Sequence, residues 1–334
     1  MRITSFMIFD QLTRGMQRQT EDLGRLNQQL VTGKKINKPS DDVLGMRNAM
    51  DYRLNLQEIE QFDRNGQQAS TILKFTETIM TTVSDTLSQL SSLVRDASRG
   101  MSDPASRALN EEKAKQLRDQ LLDMANSKFG DRYLFSGFRT DTRAYDTTTY
   151  NYQGDQGTMN VMIDKGASVA INDPGDKVFS KVFSAPTVVQ VGGNFVHYTP
   201  GAGTVTTVEI RASDDTTVLD SFSFSNTIQM ADILGSAIAA QNGSRIDALA
   251  TPFTMIVQNA ANIQSMNQLR VKRIDDQKNL NISATNLLKD FLSKTEDADL
   301  TQVATEMKQM QVALTAMQIS SSNMLQQSLM DFLN

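Results

Sequence analysis

Apolar side chains in the first thirty residues recur at Phe9, Leu12, Met16, Leu23, Leu26 and Leu30, and Gln19 is the polar member of that series. The steps alternate between three and four, which puts the series on one helix face as a heptad seam. A helix is expected from about Ser5 to Val31. Gly33 stands where a C-terminal cap belongs, and Lys34, Lys35 and Lys38 lie near the negative end of the helix dipole. Pro39 biases Lys38 away from helix, and Ser40 or Asp41 can cap the helix that follows.

The same alternation holds at Ala69, Leu73, Thr76, Met80, Val83, Leu87, Leu90, Val94 and Ala97, which predicts a second helix from about Asp42 to Ser98. About 55 residues at ~1.5 Å each would span roughly 80 Å, longer than a compact domain needs. Gly100 ends it. Asp103 before Pro104 is a start signal, an N-cap with proline at the first helical position. The third helix, to about Lys128, carries Leu109, Leu117, Leu121, Met124 and Ala125.

After Phe129 the pattern becomes β-branched, aromatic and punctuated by turns. RYLFSGF, TTTYNYQGDQGTMNVMID, ASVAIND, APTVVQVGGNFVHY, TVTTVEIRA and TTVLDSFSFS read as short antiparallel strands. Met230 to Gln241 reads as one short helix among them. Four of the six prolines fall between 174 and 252, and no glycine follows Gly243. Helical character returns at about Phe253, with Ile256, Ala260, Ile263, Met266 and Ile274 more loosely spaced. The last segment has a sharper seam of Leu300, Val303, Met307, Met310, Leu314 and Met317. It shifts after Ser320 and continues through Leu325, Leu329 and Phe332.

The fold class expected is α+β: an elongated helical coiled-coil or rod built from both termini, with an inserted antiparallel β-rich domain. Isolated helices are marginal in water, so the terminal seams need each other or further copies. Charge favours pairing of the two ends. Residues 1–42 carry seven Lys and Arg against five Asp and Glu, and residues 290–334 carry two against six.

Composition then removes most chemistry. The 334 residues include no cysteine, no tryptophan and one histidine, His197, and the net charge is −5. Thiolate, zinc-thiolate and iron–sulfur sites are excluded, and HExxH chemistry needs two histidines. A mildly acidic chain lacks the basic footprint of a nucleic-acid binder. No apolar run reaches the ~18 residues of a membrane helix, so no membrane insertion is expected. Asp10 interrupts the N-terminus before an apolar region develops, so no cleaved signal peptide is expected.

The remaining candidates read as structure. Met307, Met310, Met317, Met324 and Met330 at helical spacing are core rather than soft-metal ligands. Glu296, Asp297 and Asp299 read as a capped, solvated helix start rather than a metal site. His197 reads as an ordinary residue on or near a strand. The sequons at Asn242 and Asn281 are of a kind frequent by chance. No catalytic residue, cofactor or metal is expected, and the chain is expected not to be an enzyme.

LNQQLVTGKKINKPSDD (Leu26 to Asp42), DMANSKFGDRYLFSG (Asp123 to Gly137), SKTEDADL (Ser293 to Leu300) and the final SLMDFLN, between helical ends, resemble the flagellin superfamily. Pro39, the Asp123 to Gly137 segment and the C-terminal ending resemble its hook–filament junction subunits more than its filament subunit. The resemblance covers about 1–140 and 285–334. It implies a terminal coiled coil from 1–42 and 290–334, disordered in the free monomer. A helical rod from 43–138 and 253–289 and a β-rich outer domain from 139–252 would complete the subunit. It also implies unfolded export by the flagellar type III route, self-assembly into a helical or ring layer outside the cell, and contacts with hook-associated protein 1 and flagellin. A cytosolic export chaperone would bind the C-terminal helix. A filament subunit and a stalked adhesin or binding module are the alternatives.

Overall fold

The computed structural model describes residues 2–99, 103–180, 183–201 and 203–333. Side chains of the terminal helices are described for Met7, from Asp10 onward, and up to Asn323. The fold is α+β. Its helices are α1 (Arg2–Thr32), α2 (Val43–Ser98), α3 (Pro104–Ala125), α4 (Thr227–Ala239), α5 (Gly243–Glu296) and α6 (Leu300–Leu333). Two short hairpins, β1–β2 (Lys128–Phe129, Arg132–Tyr133) and β3–β4 (Asn160–Asp164, Ala167–Ala170), precede a four-stranded sheet. Its strands are β5 (Thr187–Val191), β6 (Asn194–Pro200), β7 (Thr206–Arg211) and β8 (Val218–Phe224), all antiparallel in the order β5-β6-β7-β8.

The chain divides into two compact units, residues 1–60 with 281–334 and residues 61–280. In the larger unit, every position of the α2 seam from Ala69 to Ala97 is buried, Thr76 included. One apolar core joins the second half of α2, α3, α4 and the sheet. It also takes in Ile256 and Ala260 of α5. This core runs across residue boundaries 138/139 and 252/253, where the sequence reading separates a rod from an outer domain. The β3–β4 hairpin packs elsewhere: Ile163 and Val169 sit against Ala69 and Leu73 of α2 and Ile274 of α5.

Several elements differ from the sequence reading for physical reasons. Helix α3 ends at Ala125 rather than near Lys128 because Asn126 caps it and Lys128 enters a strand. Leu109 is 70% exposed and Met266 54%, so neither belongs to the core. On α5 the seam position is taken by fully buried Asn267, which is why the apolar spacing there looks loose. Helix α4 starts three residues before Met230. Asn226 accepts from the Gln229 amide at 3.0 Å and the Gln229 side chain accepts from the Ser225 amide at 2.7 Å, a reciprocal cap.

Helix α5 begins ten residues before Phe253 and contains Pro252. Asn242 caps it by accepting from the Arg245 amide at 3.0 Å. A proline inside a helix cannot donate to the carbonyl four residues back, here Ala248. The Tyr198 hydroxyl donates to that carbonyl at 2.6 Å. A strand residue therefore satisfies the group that the helix leaves open.

Aromatic rings close the rest of this core. Phe179 meets Phe135 edge-on at 5.5 Å and Tyr145 at 5.7 Å, and Phe183 stacks on Tyr198 at 4.4 Å. Burial pushes the Tyr198 hydroxyl up to about 12 and raises that of Tyr145 further. Of RYLFSGF, expected as a strand, Arg132–Tyr133 is strand β2 and the remainder is a tight loop. Gly137 has φ +72°, and a Cβ there would lie 2.3 Å from the Asp155 carbonyl oxygen. His197 lies on β6 with Nε2 2.5 Å from Asp215 Oδ1, so it has the partner the sequence did not reveal.

Candidate functional site

The terminal helices α1 and α6 pack on one another in the smaller unit. They run antiparallel: Gly33 accepts from the Ala298 amide at 2.9 Å beyond one end, and a Cβ on Gly15 would lie 3.9 Å from Met317 further along. Of the expected N-terminal seam, Leu26 is buried, while Leu12, Met16, Leu23 and Leu30 are half-buried. The Phe9 side chain lies outside the described residues. The Gln19 side-chain oxygen is buried without a partner among the described residues.

The C-terminal seam behaves alike. Val303 is buried, Met307, Met310, Leu314 and Met317 are half-buried, and Leu300 is 49% exposed at the helix start. Leu325, Leu329 and Phe332 lie outside the described side chains. The pair of helices therefore brings most of both seams together without closing either. The same unit also exposes Val31, Val43, Leu44, Met50, Leu54, Leu287, Phe291, Val312 and Ile319.

A built joint fastens the inner ends of these helices. Gly33 takes φ +70°, so the chain turns out of α1 in a conformation that favours glycine. Lys34 then bridges Asp297, and the Lys35 amide donates to the Glu296 carbonyl at 2.7 Å. The Lys35 ammonium donates to the Lys294 carbonyl at 3.1 Å, a cation on a helix C-terminus.

Glu296 departs most from expectation. It is not solvated: only 5% of it is exposed, and its carboxylate is held by Lys34 at 2.5 Å and by Arg53. A buried carboxylate needs such partners because desolvation alone would be costly. Three segments thus share one charge: the end of α5, the turn after α1 and the start of α2.

The NKPSDD turn is built by its two aspartates in different ways. Asp41 accepts from the Asn37 and Lys38 amides at 3.0 and 2.9 Å, which holds its carboxyl below the usual aspartate range. Asp42, not Ser40 or Asp41, caps α2 by accepting from the Gly45 amide at 2.9 Å. Gly45 is also where Ile36 and Asp42 close in: a Cβ there would lie 2.5 and 2.3 Å from their side-chain atoms. Asp299 caps α6 through the Thr301 and Gln302 amides. Sequence reading missed Ile36 and Gly45 and took Glu296 for a solvated residue. A lone isoleucine among polar residues and a lone glycine inside a helix were their only signals.

Among the described residues no helix is long and apolar enough to cross a membrane. The geometry of the joint holds two helix ends in register and leaves both seams partly open.

Comparison with known proteins fits this arrangement. Residues 3–140 match the bacterial flagellin N-terminal helical region. Flagellar hook-associated protein 3 of Salmonella typhimurium is 25% identical over 185 residues, 55% of this chain and 58% of that protein. The matched stretch thus spans less than two thirds of that relative's length. The structure of a putative flagellar hook-associated protein from Vibrio parahaemolyticus shares the fold at TM-score 0.60 and 17% identity, covering 77% of this chain and all of that one. The flagellar junction protein of Legionella pneumophila does so at TM-score 0.53 and 17% identity, covering 75% and 100%. Over its N-terminal residues 3–140 the chain is thus similar to the flagellin N-terminal helical region, and over 185 residues to flagellar hook-associated protein 3.

Proposed function

We propose that this chain is a structural subunit of the bacterial flagellum, in the layer that joins hook to filament. The observation that carries the reading is the terminal unit, whose α1 and α6 seams stay half-open while apolar residues remain exposed beside them. Such surface is stable in an assembly and costly in isolation. Its mechanism is assembly-coupled ordering: helices that are marginal alone gain burial against neighbouring copies. Heterologous contacts repeat head to tail and need not close, which suits a layer continued by other subunits. The seam residues Leu12, Met16, Leu23, Leu26, Leu30, Val303, Met307, Met310, Leu314 and Met317 are the assembly residues in this reading.

Hook-associated protein 1 and flagellin would be the neighbours, with an export chaperone holding the C-terminal helix beforehand. The subunit would act outside the cell after type III export, and its role is packing rather than catalysis. The three-domain plan, with a terminal coiled coil, a rod and an outer β domain, belongs to the same reading. Removing residues 1–30 or 301–334 is expected to leave a folded larger unit that no longer attaches filament to hook. Normal attachment by either truncation in a motility assay overturns the reading. The match of residues 3–140 to flagellin makes the filament subunit the second reading. Electron microscopy of a deletion strain separates them: the junction subunit leaves hooks that shed flagellin, and the filament subunit leaves no flagellin to shed.

A further inference from the structure

The four-stranded sheet ends in two edges that fit each other. Gly192 and Gly193 have φ +58° and +85°, which closes the β5–β6 hairpin with a two-residue turn. Val191 and Asn194 flank that turn and exchange backbone hydrogen bonds. Alternation along the ladder then turns the amides and carbonyls of Val188 and Gln190 away from β6, toward the open edge. Carried through the registers of β6–β7 and β7–β8, the same alternation turns Ser221 and Ser223 of β8 toward the other edge.

Strand β5 carries none of the usual edge protection, and on β8 the charge of Asp220 and the register shift opposite Ile210 and Arg211 both lie before Ser221 and Ser223. Strand β5 is TVVQV, uncharged, free of proline and paired in unbroken register. Val188 is 52% exposed on it. Among the described residues no further segment adds to either edge. The one local competitor is Asp220, whose carboxylate accepts from the Ser221 amide at 2.8 Å while also holding Arg245.

Two further facts select the partner. With four antiparallel strands, β5 and β8 run in opposite directions. A copy in the same orientation therefore brings its β5 antiparallel to this β8 without any rotation. Val188, His197, Glu209 and Ser221 are also register partners, so they share one face of the sheet. In-phase pairing of Ser221 and Ser223 with Gln190 and Val188 of the next copy keeps the pleat, polar face outward and apolar face inward.

We infer that β8 of one copy and β5 of the next join edge to edge, so that the sheets of neighbouring subunits run on as one. The inference rests on the proposed reading, which supplies neighbours in a common orientation. The partner is a second copy of this chain. The contact is main-chain strand addition, with Val188 covered as it forms.

The absence of cysteine makes the test direct. Full-length Gln190→Cys and Ser221→Cys chains are mixed under assembling, mildly oxidising conditions. Disulfide-linked dimers are expected in the mixture and not in either variant alone. Val188→Pro removes an outward amide without touching the β5–β6 ladder. Added to the Gln190→Cys chain, it is expected to cut the cross-link about tenfold, the loss of one or two hydrogen bonds, with unchanged circular dichroism. Dimers from Gln190→Cys alone would mean two β5 edges pairing about a two-fold axis and would overturn the inference. Absence of the mixed cross-link in assemblies that still form through the terminal helices overturns it too, and leaves the junction reading standing. Loss of assembly by the terminal truncations is read separately, by sedimentation.

Discussion

In the larger unit Leu73, Leu87, Leu90 and Leu121 have no exposed surface, whereas in the terminal unit Leu12, Leu23, Leu30 and Leu314 stay half-buried. Residue type and spacing are the same in both places. The difference lies in how many elements surround each seam. Residues 69–97 of α2 face α3, the sheet, α4 and part of α5. The α1 and α6 seams face chiefly one another, and two helices cover only part of each other's apolar stripe. A seam closed within the chain supports folding of the monomer; in the proposed reading, one left partly open provides for the assembly.

The largest test of that contrast compares deletions of packing on each side. Phe179→Ala, which removes a ring held edge-on by two others, is expected to destabilise the larger unit by about 3–5 kcal/mol. Leu23→Ala is expected to cost about 1 kcal/mol or less in the free subunit, because that side chain is only partly buried. Denaturant unfolding checks both values. The comparison breaks if Leu23→Ala unfolds the free subunit as readily as Phe179→Ala. It sharpens if Leu23→Ala spares unfolding but abolishes sedimentable assemblies.

A second test asks whether the terminal unit opens by itself. Glu296→Ala removes the charge shared by Lys34 and Arg53. Both cations are about two-fifths exposed and can return to water, so a cost of about 2 kcal/mol is expected rather than the full penalty of a broken buried pair. Hydrogen exchange should show faster exchange in residues 26–45 and 296–310 and no change in residues 80–97. Equal acceleration in both regions would mean the two units unfold as one.

What was legible in the sequence follows from the same contrast. The α2 seam repeats for four heptads and every position on it is buried, since period alone decides the buried face of a long helix. The caps at Asp103 and Gly33 were readable because each is a local act of one residue on its own helix end. The joint was not. Glu296 meets Lys34 across 262 positions and Arg53 across 243, and no local pattern carries such a pairing. The start of α5 was missed for a related reason. Pro252 reads locally as a breaker, and the tyrosine that serves the carbonyl it leaves open lies 50 positions from that carbonyl in sequence.

That tyrosine provides the smallest of these tests and the most specific. Tyr198→Phe keeps the ring, its stacking on Phe183 and nearly all of its volume. Only the hydroxyl on the Ala248 carbonyl is lost, which leaves a buried acceptor that Pro252 cannot serve. The cost expected is about 1–2 kcal/mol in the unfolding of the larger unit. Pro252→Ala supplies an amide for Ala248 and makes the hydroxyl redundant, so the same Tyr198→Phe change is expected to cost less in that background. The double-mutant cycle measures the difference directly. Equal cost in both backgrounds would show that the hydroxyl does not compensate for the proline, and that helix α5 tolerates Pro252 by its own curvature. A smaller cost in the alanine background would tie the β sheet to the start of α5 through one hydrogen bond. The closure of the larger unit, which the terminal helices lack, would then depend partly on a pairing between distant elements.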